Sequence, residues 1–153
     1  MSSSQIVGNV GMYYAAYRLS LMGWNVMPTA RNARGIDLLA YDVDAARYLG
    51  IQIKTLSKRT AVPLGIKGVG NLLGDWWIIV SGVSSKPDCF IMTPAEVAAH
   101  AVQDKNGARA YWLPAKCYAV NQFSEAWHRI GQGDASTLSA PSSSLLSESR
   151  AMN

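Results

Sequence analysis

The sequence predicts an α/β domain, a central sheet with helices packed on it. Three observations predict it. Short runs rich in Val, Ile, Leu and aromatic residues recur between Gly, Pro and Asn turn signals, as strands do. A long opening segment spaces its apolar residues by three and four, as a helix does. The continuous apolar run Trp76 to Val80, WWIIV, has the composition of a strand buried on both faces.

The elements follow in order. Residues 5–22 predict a helix: Ile6, Val10, Tyr13, Tyr17 and Leu21 share one face, and Met12, Ala15, Ala16, Leu19 and Met22 cover much of the remainder. A helix apolar nearly all round is expected to pack on more than one side. Gly23 is its stop signal. Strands are predicted over 24–28, 36–41 and 49–56, with the polar, basic loop TARNARG between the first two. Residues 57–75, with four glycines (Gly65, Gly68, Gly70 and Gly74) and Pro63, read as an irregular connection. Strands over 76–80 and 89–92 come next. Thr93-Pro94-Ala95-Glu96 is a helix start, with Thr at the N-cap, Pro at the first helical position and Glu at the third; the helix is expected to reach Gln103. A short strand over 110–113 and a closing helix over 121–130, with Phe123, Trp127 and Ile130 on one face, complete the chain's folded part. The order is helix, three strands, long connection, two strands, helix.

Composition bounds the function. The chain has 153 residues, 49% of them hydrophobic and 16% charged, against about a quarter charged in an average soluble domain. This favours a well-buried core and some surface covered by a partner. No apolar run approaches the roughly 18–20 residues of a membrane span. The opening MSSSQIVGN lacks the pattern of a signal peptide, and Cys89 and Cys117 cannot build a disulfide framework, so a cytoplasmic protein with free thiols is expected. Composition changes after Ile130. Residues 1–130 read as the domain, with 13 basic and 8 acidic residues; residues 131–153 are Ser-rich, lack periodicity, and read as a flexible tail.

The sharpest signal lies in the second and third strands. Fourteen residues separate Asp37 from Gln52, and Lys54 follows two further on. Strands this close form an antiparallel hairpin, in which directly opposed residues point to the same face. Gln52 and Lys54 share a face because they are two apart. Asp37 joins them if the loop holds an even number of residues: six if Tyr41 faces Tyr48, eight if Tyr41 faces Gly50. A one-residue slip puts Asp37 with Ile51 and Ile53 instead.

An Asp on one strand and (Asp/Glu)-x-Lys on the next resembles the signature of the PD-(D/E)XK nuclease superfamily, which includes type II restriction enzymes and archaeal Holliday-junction resolvases. Gly8-Asn-Val-Gly11-Met12-Tyr, the helix, Gly23-Trp24-Asn-Val and the Arg-Gly-Ile-Asp approach extend the resemblance over residues 5–56. It implies a restriction-endonuclease-like mixed sheet flanked by helices. It also implies hydrolysis of a DNA phosphodiester with Mg²⁺ or Mn²⁺. Asp37 would bind the metal through a carboxylate oxygen, Gln52 would offer its amide oxygen, and the backbone carbonyl of Ile53 would be a further ligand. Lys54 would orient or activate the attacking water and steady phosphate charge. Gln52 stands where the second acid usually stands, an exchange that some active members tolerate. Met12 stands where resolvase-type relatives usually carry a helix Glu. The alternative is a nuclease-fold module with impaired catalysis that binds DNA or a protein partner.

The flanking loops suit DNA. Arg31 and Arg34 precede Asp37; Lys58, Arg59 and Lys67 follow Lys54, and no acid intervenes from residue 55 to residue 74. Basic loops beside a phosphodiester site supply contacts to the DNA backbone. His100 and His128 are far apart and have no zinc-ligand spacing, and no Gly-x-Ser-x-Gly elbow exists. A homodimer is expected, since such nucleases often pair their sites and this body is rich in Trp and Tyr.

Overall fold

A computed structural model describes residues 3–30 and 35–134. It contains helix α1 (Ser3–Leu21), strands β1 (Asn25–Pro28), β2 (Leu38–Tyr41), β3 (Tyr48–Leu56), β4 (Val62–Gly65), β5 (Trp76–Ser81) and β6 (Asp88–Met92), helix α2 (Pro94–His100), strands β7 (Val102–Gln103) and β8 (Tyr111–Leu113), the short helix α3 (Ala115–Tyr118) and a 3₁₀ turn (Trp127–Arg129). The main sheet has five strands in the order β1-β2-β3-β5-β6; a small second sheet has the order β4-β8-β7. β3 and β5 are parallel, and the other neighbours in the main sheet are antiparallel. The expected mixed α/β sheet flanked by helices is what the chain forms.

The sheet separates two cores. On one face α1 lays Ala15 and Leu19 over Leu38, Ala40, Ile51, Ile53, Ile78, Val80 and Ile91. On the other face Trp77, Ile79, Phe90 and Met92 meet Val62, Val97, Leu113 and Tyr118 from the small sheet and the helices, and Phe123 from the segment that follows α3. β5 is buried on both faces, as its unbroken apolar run requires. Gly11 brings α1 against β3: a Cβ there would overlap the Thr55 side chain, so only glycine permits this approach.

Five expectations need correction. The α1 face carrying Ile6, Val10, Tyr13, Tyr17 and Leu21 is not packed; all five are exposed, and the helix buries only its opposite face. The connection 57–75 contains β4, whose ladder with β8 includes Pro63 and a register shift that hides it from a pattern search. The helix begun at Thr93 does have its capping box, with the Thr93 N–H donating to Glu96 (2.8 Å) and the Glu96 N–H to Thr93 Oγ1 (3.2 Å), but it ends at His100. Val102 and Gln103 then leave it to pair with β8. The closing helix over 121–130 does not form. Its backbone instead serves the free edge of β6: the Ile91 N–H donates to Phe123 O, the Glu125 N–H to Cys89 O, and Glu125 adopts φ 49°. Phe123, Trp127 and Ile130 are buried all the same. The domain boundary expected after Ile130 also moves. The Trp24 indole donates to Gly131 O, the Gly133 N–H to Met22 O and the Val43 N–H to Gly133 O, which ties residues 131–134 to the body. The rest of the predicted tail, 135–153, lies outside the described residues, and no helix among the described residues is long and apolar enough to cross a membrane.

Candidate active site

The β2–β3 hairpin takes the six-residue loop: Tyr41 faces Tyr48 and Leu38 faces Ile51. β3 then runs on without a β2 partner. Asp37 takes over at that point. Its N–H donates to Ile51 O at 2.8 Å, and its Oδ2 accepts from the Ile53 N–H at 2.7 Å and from the Gln52 side-chain amide. The carboxylate thus replaces the carbonyl that the next strand residue would have offered. Among the described residues Oδ1 receives no hydrogen bond.

The N–H and C=O of one strand residue project to the same side, so the Ile53 carbonyl points to this open edge too. Among the described residues it receives a long side-chain bond of 3.3 Å from Gln52 Nε2. Gln52 is buried and turns its amide nitrogen toward two oxygen acceptors; the flipped amide would set its oxygen against the carboxylate. Its present contact therefore fixes the Asp37 rotamer.

Lys54 lies half-buried, with Nζ 5.3 Å from the centre of the Trp77 ring, and pairs with no acid among the described residues. Burial lowers the pKa of its ammonium below the usual lysine range, and the charge of Asp37 offsets this only in part. Trp77 is held in turn by its indole N–H, which donates to Leu73 O at 2.9 Å.

Asp37, Ile53 and Lys54 line an open cleft of about 410 Å³ together with Thr55 and, from α1, Gln5, Gly8, Asn9 and Met12. Of the residues singled out in the sequence, Asp37, Ile53, Lys54 and Met12 converge there. Gln52 supports the site from outside the lining. Gly8 and Asn9 were named only as part of the motif that carries the resemblance, and Gln5 was not singled out; Gln5 and Asn9 had no role assigned. Their spacing with Met12, four and three residues, places all three on one helical face, and that is the signal that could have found them.

The basic residues differ among themselves. Lys58 and Lys67 are exposed. Arg59 is tied down, ion-paired with Asp88 at 2.8 Å and set over the Phe90 ring. Arg31 and Arg34 lie outside the described residues. His100 and His128 are both exposed, and neither lines the cleft.

The chain is similar to the solved structure of a bacterial homing endonuclease, I-Ssp6803I, with a TM-score of 0.58 and 21% sequence identity, over 85% of this chain and 92% of that one. No protein-family profile matches the sequence, and no curated protein matches it.

Proposed function

We propose that this protein is a metal-dependent DNA endonuclease of the PD-(D/E)XK type, with its site at Asp37, Gln52, Ile53 and Lys54. The observation that carries the reading is the convergence of an incompletely bonded carboxylate and an unpaired lysine at one open strand edge. Similarity of fold to a homing endonuclease supports it.

The donors fit Mg²⁺ or Mn²⁺. Asp37 Oδ1, just ahead of β2, and the Ile53 carbonyl on β3 are hard oxygens, and a cation of this kind is usually held by one or two carboxylates, with waters and substrate phosphate supplying the rest. No group of three His, Cys, Asp or Glu side chains exists among the described residues, so the donor set is not one that suits zinc. When bound, the ion would polarise the phosphate and lower the pKa of a coordinated water. The chain's own groups do the remainder. Gln52 and the Ile53 N–H hold the carboxylate in one orientation. Lys54 positions the attacking water and stabilises the charge that develops on the phosphate, in a half-buried setting where that stabilisation is stronger than in water. Lys58 and Lys67, with Arg31 and Arg34, would hold the DNA backbone without reading sequence.

Met12 in the cleft and the Gln52–Asp37 contact favour a second reading, a module that binds DNA without cutting it. One assay separates the two: plasmid, branched and single-stranded DNA incubated with Mg²⁺ or Mn²⁺. Cleavage by the wild type that is lost in Asp37→Ala and Lys54→Ala supports the enzyme. Equal cleavage by all three sinks it. Salt-dependent binding with no cleavage supports the second reading.

A further inference from the structure

We propose that the outward face of α1 is the contact surface of a homodimer, in which two copies pack their α1 helices antiparallel about a two-fold axis beside Tyr13. This does not depend on the nuclease reading, since none of the residues involved lines the cleft.

The distribution of side chains on α1 is inverted. Its buried residues are the small Gly11 and Ala15 with Leu19, whereas Ile6, Val10, Tyr13, Tyr17 and Leu21 are 43–67% exposed. The five form one continuous stripe, roughly 22 Å long at 1.5 Å per residue. Scattered apolar residues on a surface mean little, but a contiguous stripe of this kind marks an interaction site. The only charged residue in the helix is Arg18, which pairs with Glu125 at 3.2 Å and sits over the Trp127 ring. The stripe therefore has no charge to repel a second copy and none to attract DNA or an anionic membrane.

Three features specify a second copy. The spacing of the stripe is nearly the same read in either direction. An antiparallel partner sets Ile6 over Leu21, Val10 over Tyr17, and the two Tyr13 side chains next to each other at the axis, so every apolar position meets an apolar position. An isologous contact of this kind closes as a dimer and leaves no stripe exposed. The area suffices: an aromatic side chain can bury about 150–250 Å². With Tyr13 61% and Tyr17 59% exposed, and three aliphatic residues beside them, the stripe offers roughly 500 Å² per copy. Two copies would bury roughly 1,000 Å², the size at which specific interfaces begin. Because the N-terminal half of α1 lines the cleft, this packing places the two clefts at opposite ends of the helix pair.

Light scattering on the full chain tests the proposal, with twice the 16.5 kDa chain mass expected at micromolar concentration. Tyr13→Lys opposes two like charges at the axis and is expected to weaken the dimer at least about thirtyfold, as loss of an interface hot spot does. An unchanged thermal melt at low concentration confirms that the variant folds. Tyr13→Cys in a Cys117→Ser background is expected to form a covalent dimer on mild oxidation. A wild-type monomer at high concentration overturns the proposal; if Tyr13 is then shielded from a surface label, residues 135–153 cover the stripe instead. A dimer that survives Tyr13→Lys and does not cross-link through Cys at position 13 also overturns it.

Discussion

Glu96 and Asp37 each sit near a cation and are used differently. Glu96, at the start of α2, is saturated. Its oxygens accept from the Thr93 N–H and from both Arg129 guanidinium nitrogens at 2.5 and 3.1 Å, and Arg129 also donates to Ile91 O. Burial would raise the Glu96 pKa, but the Arg129 and Thr93 hydrogen bonds and the Arg129 charge outweigh it and leave the group below its usual range. Asp37 keeps one oxygen open, and its neighbour Lys54 is desolvated without an ion pair. The first arrangement fastens a helix to a sheet. The second leaves charge unspent in a cleft, which stability does not require and chemistry does.

The largest expected effect breaks the second arrangement. Asp37→Ala and Lys54→Ala are each expected to lower cleavage by at least about 100-fold, the worth of one transition-state contact. Lys54→Met is expected to leave the melting temperature unchanged or raise it, because the buried ammonium costs stability. A large fall in melting temperature for Lys54→Met would mean that the lysine is structural.

Breaking the first arrangement is the converse. Arg129→Ala leaves Glu96 without its cation and is expected to cost about 2 kcal/mol in denaturant unfolding. DNA affinity at unchanged folded fraction should not move. Next in size, Met12→Glu adds a second carboxylate to the cleft and is expected to tighten Mg²⁺ binding about tenfold, measured calorimetrically, since affinity for hard cations follows ligand charge. No gain would place the cation elsewhere.

The smallest effect is on pH dependence. The folded-state pKa of Glu96 lies below its unfolded value near 4.5, so its contribution is present above that pH and is lost as pH falls through the folded pKa. Glu96→Gln is expected to flatten the acid limb of the stability curve below about pH 4.5. Cys89, pushed up to about 12 by burial, works on the alkaline side: its contribution is complete below about pH 9 and declines as pH rises toward 12.

Much of the site was legible because its constraints are local. The alternation of Gln52 and Lys54 with Ile51 and Ile53 defines two faces, and a hairpin with an even loop brings Asp37 to the polar one. The Thr93–Glu96 capping box was legible for the same reason, since four consecutive residues contain the whole motif. The two-face alternation did not foretell that Gln52 would spend its amide on Asp37, because that depends on where β3 outruns β2.

By itself, the sequence determined that β1, β2, β3, β5, β6 and β8 are strands and where α2 starts, and that an even-loop hairpin would bring Asp37 to the face of Gln52 and Lys54, since each follows from propensity, period or loop parity. Tertiary structure alone decided what happened where the backbone had a competing partner. Residues 121–130 have helical spacing, yet the open edge of β6 claimed their N–H and C=O groups. Val102 and Gln103 left α2 for β8 in the same way. The stripe on α1 is the sharpest case. Periodicity identifies a face, but only the fold says which side of the helix the sheet lies on, and here the small Gly11 and Ala15 face it because they let the helix come close.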